Sequence, residues 1–124
     1  MKPTVRSLHS PDADLETYVP EDPRDVGVLV QIFAGPDGEP GEDTFNVVVC
    51  TPRWLERWIS DKGIIAGRHY LIIDKWDFPR VSEYLTNAVE SEEGRDWEEL
   101  GQRIGRLGKW EFEDYRPFDS AEHW

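Results

Sequence analysis

A chain of 124 residues can bury about two-thirds of its unfolded surface, enough for one core without metal or disulfide staples. Its only cysteine, Cys50, excludes an internal disulfide and so a secreted disulfide scaffold. Its 26 acidic residues against 14 basic ones give a formal net charge of −12. That charge opposes approach to nucleic acid or anionic lipid within the screening length, and a cationic protein surface is its natural complement.

No apolar stretch follows the charges of Met1 to Arg6, and nowhere do about 18 apolar residues run together. A cytoplasmic protein is therefore expected, with one domain over residues 1–124 and residues 118–124 as a flexible tail. Acidity also serves plain solubility. Six tryptophans, however, exceed what a small core needs, and tryptophan is favoured at binding hot spots.

In chain order, Thr4 to Leu8 suits a weak edge strand, closed by Pro11. Residues 12–25 carry Asp12, Asp14, Glu16, Glu21, Asp22 and Asp25 with Pro20 and Pro23, the composition of an exposed loop that Leu15, Tyr18 and Val19 would pin down. Val26 to Ala34 is a β-branched apolar run and reads as a central strand. Turn residues 35–43 lead to a second such run, Thr44 to Cys50, which makes a long-looped hairpin.

Thr51-Pro52 offers an N-cap hydroxyl and then proline at the first helical position. The helix carries Trp54, Leu55, Trp58 and Ile59 on one face, packed on the sheet, and stops at Gly63. His69 to Ile73 reads as a strand buried on at least one face. A second helix follows Asp77-Phe78-Pro79, with Val81, Tyr84, Leu85, Ala88 and Val89 at helical spacing. Asp96 and Glu99 resemble a capping box for a third helix with the stripe Trp97, Leu100, Ile104 and Leu107, where Gly101 and Gly105 permit close packing. Trp110-Glu111-Phe112-Glu113 alternates as a strand with one wet face. The order of elements gives an α+β fold: a mainly antiparallel sheet with about three helices packed on one face.

Catalytic signatures are absent. His9, His69 and His123 are scattered without local partners, and His69 in an apolar strand suits a structural role. Cys50, just before a helix start, is the best nucleophile candidate, but a lone cysteine ending an apolar strand is more often a small buried hydrophobe. No ligand cluster for zinc or calcium and no phosphate cradle is present, so neither metal nor cofactor is expected.

Four blocks taken in order and spacing resemble the immunity protein 8 family of bacterial polymorphic-toxin and contact-dependent inhibition systems: Pro20-Glu21-Asp22-Pro23, Cys50-Thr51-Pro52-Arg53-Trp54-Leu55, Gly67-Arg68-His69-Tyr70-Leu71-Ile72, and Trp110-Glu111-Phe112-Glu113-Asp114-Tyr115. The resemblance runs to about Tyr115. It implies a non-catalytic cytoplasmic protein that binds a secreted toxin's domain and protects the producing cell. A basic nuclease would suit the charge, through steering and occlusion of the phosphate-binding surface. An acidic interaction module or scaffold subunit unconnected with any toxin is the alternative.

Three stretches are candidates for the contact. Trp110, Glu111, Phe112, Glu113, Asp114 and Tyr115 combine carboxylates with aromatic anchors. Reversing Glu111, Glu113 and Asp114 to lysine is expected to leave the fold intact and slow association. Tyr18, Glu21, Asp22 and Asp25 lie in a loop stiffened by proline. Asp37, Glu39, Glu42 and Asp43 lie in the hairpin loop, which also reads as a solvated turn. Trp54 and Trp58 read as core.

Overall fold

A computed structural model describes residues 1–113 as β1 (Pro3–His9), β2 (Gly27–Pro36), β3 (Asp43–Cys50), α1 (Pro52–Lys62), β4 (Tyr70–Ile72), α2 (Phe78–Glu90), α3 (Trp97–Ile104) and β5 (Lys109–Trp110). The five strands form one mixed, mostly antiparallel sheet in the order β1-β2-β3-β4, with β5 also on β3. The fold is α+β, as the element order predicts. The expected tail, 118–124, lies outside the described residues, as do Asp114 and Tyr115.

The period of two along the central hairpin decides which face is dry. In β2, Val28, Val30, Ile32 and Ala34 are buried while Leu29, Gln31 and Phe33 between them stay half-buried. In β3 the buried set is Phe45, Val47 and Val49. The strands pair antiparallel with Val30 opposite Val47 and Ile32 opposite Phe45, so branched and aromatic side chains face one another across the pair. Onto this face α2 lowers Val81, Leu85 and Val89, and α3 lowers Leu100 and Ile104. A fully buried side chain such as Leu85 contributes roughly 1.5–3 kcal/mol.

The third helix sits differently. None of the residues of α1 is buried and none belongs to the core cluster. Instead Trp54 lies where a Cβ on Gly27 would stand, 2.0 Å from its ring, and Gly27 shares the strand face of Leu29 and Gln31. Trp58 stacks on Trp54 at 5.4 Å and donates its indole N–H to Tyr70 Oη at 3.2 Å. Two helices therefore cover the core face, and α1 rests on the other. Thr51 precedes α1 but gives it no side-chain cap. Its buried hydroxyl accepts the Val26 N–H at 3.0 Å, fastening the helix start to the start of β2.

One edge of β3 is shared by two strands. β4 runs parallel to it, with Val48 beside Tyr70 and Cys50 beside Ile72, and β5 runs antiparallel, with Phe45 beside Trp110. Strand pairing stops at Trp110 rather than continuing to Glu113. The Glu111 N–H still reaches the Thr44 carbonyl at 3.0 Å, but β3 begins at Asp43, and the Glu113 N–H turns back to the Trp110 carbonyl at 2.9 Å. The outer edge of β1 is blunted by a register shift between Val5 and Ser7 and by Glu90, whose carboxylate accepts the Val5 N–H at 2.9 Å. Among the described residues, no helix is long and apolar enough to cross a membrane.

Candidate functional site

The carboxylates divide into those with partners inside the domain and those without. The acidic–aromatic stretch after α3 belongs largely to the first kind. Trp110 stacks on Phe45 at 6.2 Å and occupies the space a side chain on Gly101 would fill, a Cβ there standing 2.4 Å from the ring. The Glu111 carboxylate accepts the Thr44 N–H at 2.8 Å. Glu113 accepts from Arg68 at 2.8 Å and lies 3.5 Å from His69 Nε2. Phe112 is exposed beside Trp110, edge to face at 5.8 Å.

The strand expected from His69 begins only at Tyr70, and His69 stands in the turn before it. It takes a positive φ of 68°, a conformation uncommon outside glycine. Its Nε2 lies 2.6 Å from the Gly105 carbonyl and 3.1 Å from Arg68 Nε. The contact with Gly105 ties the start of β4 to the end of α3.

The loop before β2 is bound to α1. Asp22 accepts from Arg53 at 2.8 Å and from the Arg24 N–H at 2.9 Å. Asp25 pairs with Arg57, and its side chain is only 22% exposed. The Arg57 hydrogen bond is the main reason the Asp25 carboxyl titrates below the usual range for aspartate, against the opposing effect of burial. Glu21 is exposed, with no carboxylate partner among the described residues. Tyr18 is half-buried, its ring edge-on to Trp76 at 5.5 Å, and Trp76 lies nearly parallel to Phe78 at 6.3 Å.

The hairpin loop is organised from within. The shift in β1 sends Arg6 into it, where Nη2 donates to the carbonyls of Pro36 at 2.8 Å and Glu39 at 2.6 Å. Asp37 accepts from the Thr4 hydroxyl at 3.2 Å. Asp43 accepts two indole N–H groups, from Trp97 at 2.6 Å and from Trp110 at 3.0 Å, so it is an internal acceptor. Glu42 is exposed and makes no such bond.

The three candidate stretches do not form one site. The Trp110 stretch lies at the Phe45 end of β3 and the Tyr18 loop at the Cys50 end, where Val26 meets Thr51. Trp76, Phe78, Glu16 and Glu83, none of them among the contact candidates, stand around Tyr18 in one groove. Trp76 follows a strand and precedes a helix cap, a junction at which only the three-dimensional path reveals a neighbour.

Cys50 is buried, and desolvation pushes its thiol up to about 11. A thiol so placed is overwhelmingly protonated at neutral pH. Iodoacetamide at pH 8 is therefore expected to leave Cys50 unmodified in the folded chain and to label it in denaturant, as read by intact mass. The same shift weakens the fold in alkali. The contribution is full below the ordinary thiol value of 9.0 and is lost as pH rises through about 11, because the unfolded chain ionises first. Among the described residues, no group of three or more His, Cys, Asp or Glu side chains is placed to hold a metal ion.

A family model described as Immunity protein 8 matches residues 4–115. No curated protein and no solved structure matches the chain.

Proposed function

The chain belongs to the Immunity protein 8 family, and from that premise we propose that it neutralises a cognate bacterial toxin domain by laying an acidic surface over the toxin's active or substrate-binding face. The family makes it an immunity protein against a toxin. A basic partner, of which a nuclease domain is one kind, a cytoplasmic site of action and inhibition without catalysis by this chain are the finer parts of the proposal.

One observation supports it above the rest: the cations are largely engaged inside the domain and many carboxylates are not. Arg53, Arg57, Arg68, Arg80, Arg95 and Arg103 are in ion pairs, Arg6 serves the hairpin loop, and Lys62 lies over the Trp58 ring. Glu21, Glu39, Glu42, Glu56, Glu93 and Glu98 are exposed, and their carboxylates make no hydrogen bond or ion pair among the described residues. The net charge is thus carried as unneutralised surface, the distribution that steers a cationic partner.

Of the sequence candidates, Trp110, Glu111, Phe112, Glu113, Asp114, Tyr115, Tyr18, Glu21, Asp22 and Asp25 remain the proposed contact set. Glu21 is the member most available to a partner, because Asp22, Asp25, Glu111 and Glu113 already bond within the chain. The reading is tested by co-expressing the chain with the toxin gene beside it. Survival of the host and a co-purifying complex are expected. Death of the host with no complex would overturn it.

A further inference from the structure

We propose that the groove between the Leu15–Tyr18 turn and α2 receives an arginine side chain of the protein partner. This rests on the immunity reading and names a contact within it. The groove is open, with a volume of about 680 Å3. Its deep residues are Leu15 and Trp76, 5% and 9% exposed, and Tyr18 and Phe78 extend the aromatic wall on either side of Trp76. Glu16 stands on the turn and Glu83 on α2. Both are exposed and both carboxylates are without partners among the described residues.

The lining of this groove joins aromatic rings to carboxylates. No lysine or arginine is among its described lining residues. The groove beside Trp110 contains Arg68, and the one beside β4 contains Lys75 and Arg80. A smaller neighbouring groove shares Leu15 and Glu16 and adds Asp12 and Asp14, continuing the acidic margin. Aromatic faces between free carboxylates suit a guanidinium better than an ammonium, because the planar, weakly hydrated group stacks on rings while its edge N–H groups bond carboxylate oxygens.

The walls are already in place. The Trp76 N–H donates to the Pro23 carbonyl at 2.6 Å and the Tyr18 N–H to the Asp14 carbonyl at 2.8 Å, so little ordering accompanies binding.

The test needs no toxin, so its failure would leave the immunity reading, tested by co-expression, untouched. The isotope-labelled full chain is titrated with a triarginine peptide at low salt while its indole N–H signals are followed, the Trp76 signal being assigned from Trp76→Phe. A saturable shift of the Trp76 signal is expected with triarginine and not with tricitrulline, which has the same shape without the charge. Glu16→Gln with Glu83→Gln should weaken binding by about tenfold or more, whereas Glu92→Gln with Glu93→Gln, an equal change of net charge, should alter it by less than about twofold. An equal response to tricitrulline, no preference for Trp76, or equal weakening by the Glu92 and Glu93 pair would overturn the proposal.

Discussion

Replacing Phe45 with alanine is expected to destabilise the domain by about 3–5 kcal/mol. The ring is fully buried at the base of β3. Trp97 meets it edge to face at 6.4 Å and Trp110 stacks on it at 6.2 Å. Alanine would leave a void beneath two indoles whose N–H groups share the Asp43 carboxylate, so the cost joins lost burial to strain on a half-buried polar junction. Against a total of roughly 5–15 kcal/mol for a domain, such a loss decides whether the chain stays folded on warming. Urea unfolding checks it. A lower midpoint at unchanged slope is expected, and a loss below about 1 kcal/mol would mean that the two indoles do not depend on this ring.

Reversing Glu113 to lysine is expected to do more than slow association with a toxin. The substitution would set an ammonium against Arg68 and beside His69, at a site where the glutamate side chain is 17% exposed. With Glu111→Lys, which removes the carboxylate that accepts the Thr44 N–H, the loss in stability should be about 1–3 kcal/mol. Glu98→Lys is the clean comparison. Glu98 borders the same groove, is exposed and has no partner among the described residues, so its reversal should cost only what a cation in the first turn of α3 costs, about 1 kcal/mol or less. If this face meets the toxin, the Glu98 variant should also slow association severalfold at low salt, an effect that fades as salt is raised. Thermal unfolding and stopped-flow association separate the two outcomes. A Glu113 variant as stable as the parent would show that its pairing with Arg68 contributes nothing.

Much of the architecture was legible because its signals are local. The β-branched run at Val26 to Ala34 became β2, the second run became β3, and the junction Thr51-Pro52 opened α1. Asp77 and Asp96 cap α2 and α3 by accepting the Arg80 and Glu99 N–H groups. What stayed hidden depends on residues far apart in the chain. No local pattern says that β4 would lie parallel to β3, or that β5 would end after Trp110, where the chain turns back on itself.

The candidate site was legible in composition and misleading in detail. Alternation of acid and aromatic at 110–113 resembles a display, yet Trp110, Glu111 and Glu113 all face duties within the domain. Asp43, in a stretch of turn residues, reads as a solvated acid until Trp97 and Trp110 arrive from 54 and 67 positions away. Conversely Glu16 and Glu83 carry no sequence signal that sets them apart from other surface acids. It is their shared groove with Trp76 that does so.

The junction of Trp110 with Asp43, 67 positions apart, has a consequence for the chain as it is made. A nascent polypeptide emerging from the ribosome can pair β2 with β3 early, but it cannot finish its core until the tryptophan beyond α3 has cleared the exit tunnel. Translation interrupted before that residue yields a fragment with Phe45 half-covered and Asp43 lacking one of its two indole donors. Such a fragment should be less stable than the whole domain and more open to proteolysis.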